Sequence, residues 1–558
     1  MLNPIDSISY PSPGYPGTTN VKIQETTRDR VTSIVSDQLK LMPTVPDNIK
    51  MRVGGLIKSV NTDPGNKETK KNLFHLTTCH LYSTVVSPAS QSNLVVMGMV
   101  MDDGVGDYHH ILNAAESIKS KFPDTKISML VFYMDEKLPQ AIRKPIDPQI
   151  ETIFFKWNQD LTDIYPMLQK ADQIIDISQD SPSDKGIRDI IKQKGDKYKF
   201  IGEYGHWRAK AMGLKNDQLG IIIKDKPSTS SLLDLKNEAL KKLLFGTSAP
   251  SKEDLENYFN THETFVGYLK MGSYYQMGLI YTTAAFLKSS DKQTVDLMIP
   301  PVKMEYLDTQ FLKEQGIGKI KVITLEEGKL IEKETVLAEK GKELRLINPF
   351  PLEQQDFHTL VAYTNPLVGC TGDHSWSEVI SFDRLPFYEV RRMKIEFQKR
   401  IIKLAGFVGN DPHYLKQYLQ ELLNMYDPHQ EKVISIIGLG DLTIESKSNE
   451  ANKRALDYFK NKQPQIAASA LRIANLLQQP ELVDEYQEFN ELLRTQYSFN
   501  STLHTIVARQ LALNSHPELL KAEKEIQENY LEDRITLIQA NEQLTEKITN
   551  ISVNELTT

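Results

Sequence analysis

Two cysteines in 558 residues, Cys79 and Cys370, cannot build a disulfide framework. A chain that dispenses with disulfides fits a reducing compartment. No apolar run reaches the roughly 18 residues that a membrane span needs. The longest weakly polar stretch, 277–287, is interrupted by Tyr281, Thr282 and Thr283 and predicts a buried helix. The start of the chain lacks the basic-then-apolar pattern of a secretory signal, so a cytoplasmic location is expected. Positive charge is not in surplus. The net charge of −7 argues against a general nucleic-acid binder, and no nucleic-acid partner is expected. There is no Asp-x-Asp pair of the kind that holds a metal-bridged nucleotide sugar. His75, Cys79 and His80 lie close together but are too few for a zinc site, so no metal is expected. A fixed repeat period is also missing, which excludes a helical-repeat array.

What is present is an ordinary globular composition, 40% apolar and 25% charged. The length suggests about three or four domains. Residues 1–90 read as a poorly patterned leader, turn-rich at 10–17, with a helix over about 28–40. Residues 91–260 then alternate strand-length apolar runs with helical stretches. The run 94–101 (LVVMGMVM) is continuously apolar, as a central parallel strand requires. Further strands are predicted at 127–133, 152–155, 173–177 and 200–201. A second alternating series fills 261–408, with strands at 265–269, 295–299, 321–324 and 344–347 and helices at 277–288 and 356–363. Alternation of this kind predicts doubly wound parallel sheets. Residues 409–558 show helical spacing, and the Glu-, Lys- and Gln-rich stretch 522–549 is expected to be a solvated helix.

Four loops carry candidate chemistry. Residues 371–378 (TGDHSWSE) follow a short strand and open a helix, at the carboxyl end of an α/β sheet where ligands bind. Free N–H groups and the positive end of the helix dipole suit a diphosphate there. Ser375 with Glu378 three residues on also matches a capping box, which any surface helix may use. Asp103 and Asp107 flank Gly104 and Gly106 after the first strand. Asp107 is a candidate general base or, alternatively, a cap for the helix from Tyr108. The glycines do not fit Gly-x-Gly-x-x-Gly, because the third position is His109; NAD binding is not expected. Residues 272–275 (GSYY) form the first strand–helix junction of the second series. Their N–H groups and tyrosines could hold phosphate, or form a plain loop. Glu203, Tyr204 and His206 lie in a polar, glycine-punctuated loop suited to an acceptor.

Two doubly wound halves, the Gly-Asp loop and the late polar helix start together resemble GT-B glycosyltransferases. The layout is most similar to the inverting protein-arginine rhamnosyltransferases. Their first loop reads Asp-x-x-x-Asp with Gly before the second Asp, matched by Asp103, Gly106 and Asp107. Their donor loop reads Gly-Glu-Asp-Ser, where this chain has Gly372, Asp373, His374 and Ser375. Their aromatic, phosphate-facing loop is similar to Ser273-Tyr274-Tyr275. The resemblance covers roughly 93–405. It implies two Rossmann-like domains facing a cleft, with the acceptor at 91–260, the donor at 261–408, and an added helical region. It implies inverting, metal-independent transfer from a nucleoside diphosphate sugar to an acceptor, a protein side chain among the candidates, with no cofactor. Asp107 would be the base and Asp103 its support. Gly272, Ser273, Tyr274, Tyr275, Gly372, Asp373, His374 and Ser375 would line the donor site, Glu378 would take the ribose hydroxyls, and Glu203, Tyr204 and His206 would meet the acceptor. A sugar-nucleotide epimerase of the same fold, or a non-catalytic scaffold with a GT-B core, would share this layout. The run 523–528, with the polar terminus after it, resembles export signals of effectors injected by intracellular bacteria; an ordinary solvated helix is the alternative.

Overall fold

A computed structural model describes residues 45–557 apart from 85–91, 101–104, 134–147, 158, 179–183, 202–212, 216–217, 225–230, 270–272, 327–328 and 428–448. In chain order the elements begin with α1 (Lys50–Thr62), α2 (Lys67–Thr78), β1 (Asn93–Val100), α3 (Val105–Lys121), β2 (Lys126–Tyr133), β3 (Ile150–Lys156), α4 (Tyr165–Lys170), β4 (Gln173–Asp176), α5 (Lys185–Lys194) and β5 (Tyr198–Phe200). Next come α6 (Glu238–Phe245), α7 (Lys252–Thr261), β6 (His262–Tyr268), α8 (Ser273–Phe286), β7 (Thr294–Met298), α9 (Thr309–Glu314), β8 (Ile317–Glu326), β9 (Lys329–Val336) and β10 (Lys342–Asn348). They are followed by α10 (Gln354–Tyr363), β11 (Leu367–Cys370), α11 (Gly372–Ser381), β12 (Leu385–Tyr388), α12 (Ile395–Ala405) and α13 (Tyr414–Asn424). The remainder is helical: α14 (Asn449–Leu477), α15 (Pro480–Gln496), α16 (Phe499–Ser515), α17 (Pro517–Leu531) and α18 (Leu537–Thr557). Contacts divide the chain into two units, one holding 25–223 with 491–558 and the other 224–490. Each carries one of the two doubly wound sheets expected of a GT-B chain.

In the first unit five parallel strands run in the order β3-β2-β1-β4-β5. The chain builds outward from β1 to β3, then crosses to the other side for β4, so the order reverses between β1 and β4. β1 is buried from Leu94 onward, which is why its sequence carries no polar alternation. One face packs Val96, Ile111, Ala115 and Ile127 against Leu503 and Val507 of α16. Residues 47–62 and 67–84, expected as part of an unpatterned leader, are helical instead. Phe74 and Tyr82 are buried with Ile526, Tyr530, Ala540, Leu544 and Ile548 of the last two helices. That partnership also corrects the expected solvated tail. Glu523, first of the Glu-rich run, is only 2% exposed, and its segment is built into the core.

In the second unit seven strands run β12-β11-β6-β7-β10-β8-β9, all parallel except the β8–β9 pair. Here the reversal lies between β6 and β11. α8 is buried on all sides, including Tyr281, Thr282 and Thr283, as its weakly polar sequence predicts. Beneath the sheet Arg345 grips Asp296 with two hydrogen bonds of 2.5 Å, and the Tyr258 hydroxyl donates to the same carboxylate at 2.7 Å. A fully buried carboxylate survives because these donors replace its water. No helix among the described residues is long and apolar enough to cross a membrane.

Gly267 and Gly369 face each other across β6 and β11. A Cβ on Gly369 would sit 2.9 Å from the Gly267 Cα and 3.0 Å from Leu279 Cδ2 on α8. Gly369→Ala is therefore expected to destabilise by about 1–3 kcal/mol, the range for overpacking. Gly406→Ala, whose Cβ meets nothing nearer than 3.4 Å, should be close to neutral in the same urea-denaturation series.

Candidate functional site

Open α/β sheets bind ligands beyond the carboxyl ends of the strands that flank an order reversal. In the seven-stranded sheet those strands are β6 and β11, aligned with Tyr268 opposite Cys370. The junctions that follow them are the two glycine-containing loops singled out in the sequence. Gly272 lies outside the described residues, while Ser273 opens α8 and Gly372 opens α11. Two helix starts thus stand side by side at the reversal, each with N–H groups unclaimed by its own helix. Gly372 has φ +76° and open space where a Cβ would be, a backbone that a side chain would strain.

The local chemistry of α11 differs from the capping box that its sequence suggests. The helix starts three residues before Ser375, with Thr371 at the N-cap and no side-chain cap bond. Ser375 lies inside the first turn, and its buried hydroxyl donates back to the Thr371 carbonyl. Glu378 does not reach back to the helix start. Its Oε1 meets Gln354 Nε2 at 3.2 Å, His358 Nε2 at 3.0 Å and His374 Nε2 at 3.2 Å. Burial raises the pKa of this carboxyl, but the bonds and charges of His358 and His374 overcome that and hold it well below the usual range. Glu378 is thus a fixed carboxylate on α11. Asp373 is placed only as a helical residue of the first turn.

At the neighbouring junction Tyr275 is buried, and its hydroxyl donates to the Val390 carbonyl at 2.9 Å. Its one proton is spent on holding α8 to the segment after β12. Tyr274 is equally buried, and its hydroxyl has no partner among the described residues. Two further groups here escaped sequence reading. Gln276, in the first turn of α8, is 1% exposed, and neither amide atom has a partner among the described residues. Glu389 follows β12 and is fully buried, with its N–H donating to the Cys370 carbonyl at 2.9 Å. Burial, reinforced by Glu389, pushes the Cys370 thiol far up, so it stays protonated. The one signal in the sequence was a charged residue at a strand's carboxyl end. His358 and Gln354 gave none, because they reach Glu378 from another helix.

In the five-stranded sheet the reversal between β1 and β4 places the loop after β1 at the equivalent edge. Asp103 lies outside the described residues. Asp107 is half-buried in the first turn of α3, which begins at Val105. It is therefore not the N-cap of a helix from Tyr108; its charge sits at the favourable end of the helix dipole. His110 is buried with its ring 4.9 Å from that of Phe499, a core role. Asp176, at the end of β4, is fully buried and accepts from the Tyr198 hydroxyl at 2.7 Å and the Ser178 N–H at 2.9 Å. Glu203, Tyr204 and His206 lie outside the described residues. Among the described residues no group of three or more His, Cys, Asp or Glu side chains is placed to hold a metal.

No protein-family model matches the chain, and no curated protein does. Among solved structures, a Listeria monocytogenes protein described as a candidate UDP-N-acetylglucosamine 2-epimerase aligns over 67% of this chain and 98% of its own. The identity is 12% and the TM-score 0.28, so the fold rests on the strand orders given above.

Proposed function

We propose that the chain is an inverting, metal-independent glycosyltransferase, which moves a sugar from a nucleoside diphosphate to an acceptor, a protein side chain among the candidates, in a reducing compartment. The observation that carries the reading is the pair of helix starts after the two strands of the β6–β11 reversal, with the Glu378 carboxylate held further along the second helix. In this reading the N–H groups of α8 and α11 hold the diphosphate. Ser375 acts by shaping the first turn rather than by donating its hydroxyl. Glu378 accepts from the ribose hydroxyls. Asp107 takes the acceptor's proton, with Asp103 as its support, while Glu203, Tyr204 and His206 meet the acceptor. The acceptor atom forms its bond to the anomeric carbon as the bond to the diphosphate oxygen breaks. The electron pair leaves on that oxygen, where the helix ends stabilise it.

A second reading, epimerisation of a nucleotide sugar, is favoured by the His358–Glu378–His374 cluster, which puts acid–base groups on the donor side. Turnover of a nucleotide sugar with no acceptor present separates the two.

Three outcomes test the proposal. Asp107→Asn should lower transfer by roughly 10²–10⁴-fold, the range for losing a general base, with nucleotide affinity and Tm nearly unchanged. Normal transfer by this variant alongside an inactive Glu203→Gln would move the base to the other loop. Turnover should survive EDTA, because helix ends rather than a cation offset the diphosphate; loss in EDTA that manganese restores would contradict this. Glu378→Gln should weaken nucleotide binding by about tenfold, the scale of one charge-assisted hydrogen bond. It should also alter the acid limb of stability. Because the folded pKa is depressed, the wild-type carboxylate stabilises above the ordinary value of 4.5, and this is lost as pH falls below it. The variant's Tm should therefore fall less steeply in that range, and parallel acid limbs would count against the clamp.

A further inference from the structure

The five-stranded unit contains a cavity of about 580 Å³ beside its edge strand β5, walled by α2, α16 and α17. This is the size of a small-molecule site. Its lining holds five cationic side chains, Arg52, Lys71, Lys199, Arg509 and Lys524, against two carboxylates, Asp196 and Glu523. Both carboxylates are already committed. Glu523 takes three bonds from Arg509, at 2.7, 3.0 and 3.2 Å, and accepts from the Tyr82 hydroxyl. Asp196 takes Lys524 at 2.6 Å. Lys71 and the half-buried Lys199 have no ion pair among the described residues.

Among the described residues, the charge that favours the Lys199 cation is that of Glu523, already bound to Arg509, and the Cys79 and His75 side chains add none. Burial pushes the Cys79 thiol up to about 11, so it is neutral at physiological pH. Burial and nearby cations, Arg509 first, lower the His75 pKa to about 3, so its ring is neutral as well. For the half-buried Lys199 a charge held partly away from bulk water is costly, and burial accordingly lowers its pKa. Leu76, Phe200, Leu219 and Ile506 line the same space, beside polar side chains such as Asn72, Gln218, Thr505 and Gln527.

We propose that this cavity binds a small phosphate monoester, its phosphate set between Lys199, Lys71 and Arg509 and its body against Leu76, Phe200 and Ile506. A dianionic phosphate matches two uncompensated lysines, where a single carboxylate would leave one unmatched. The site belongs to the unit that lacks the β6–β11 reversal, so it does not depend on the glycosyltransferase reading.

The test uses the full chain with glucose 6-phosphate, adenosine 5′-monophosphate and inorganic phosphate as probes. Two readouts are followed, Tm and the rate of alkylation at Cys79. Cys79 lines the cavity, whereas Cys370, the second of the chain's two cysteines, is fully buried. At least one ester should raise Tm by about 2 °C or more and slow Cys79 alkylation by at least about fivefold, as expected of a site mostly filled by its ligand. Lys199→Met should abolish both effects. Lys71→Met, at an exposed position, serves if the first variant does not fold. Glu378→Gln, in the other unit, should leave both effects intact. The proposal is overturned if neither ester protects Cys79 at millimolar concentration, or if protection persists in the lysine variants. It is also overturned if the effects vanish in Glu378→Gln, or if inorganic phosphate protects as well as the esters.

Discussion

The close approach of β6 to β11 sets the rest of the second unit. Gly267 and Gly369 leave no side chain between the strands, and Leu279 of α8 fills the space above them. That contact seats α8 against both β6 and β11. The Tyr275 bond to the Val390 carbonyl then ties the start of α8 to the end of β12. Two glycines in adjacent strands thereby fix where α8 lies against the pair of strands whose ends lead into α8 and α11.

Around this edge the polar groups are arranged by fixed partners rather than left to solvent. Glu378 is held by Gln354 and His358 from one helix with His374 of its own helix close by, and Ser375 is folded back onto its own turn. Groups oriented in this way lose little entropy when a ligand arrives. The buried amide of Gln276 is the contrasting case, a polar group at the same edge whose partner is not among the described residues.

Much of the sheet architecture was legible in the sequence, because buried parallel strands read as continuous apolar runs. β1, β2 and β4 lie within a residue or two of their expected places. The hairpin partner β9 was not expected. Its segment KLIEKETV is charged, and it pairs antiparallel at an edge where Lys321 meets Glu332 and Glu343 at 3.3 Å. Helices α1 and α2 were missed for a different reason. Their apolar faces meet helices more than 400 residues away, as Phe74 meets Tyr530, and no local pattern reports such a partner. The site divides in the same way. Its strand–helix junctions are local and visible as motifs. The His358 and Gln354 bonds to Glu378 arise from tertiary packing and could not be read from spacing. The Ser-x-x-Glu pattern pointed to a capping box, because local sequence does not show that Gly372 starts the helix a turn earlier.

The claim tested most directly is that a nucleoside diphosphate sits at the two helix starts. Amide hydrogen exchange, followed by peptide with and without a panel of nucleoside diphosphates, reads those N–H groups themselves. The account expects at least one of the panel to slow exchange at 273–276 and at 372–375 together. Slowed exchange confined to other segments, or no change at either helix start with any of them, would contradict it.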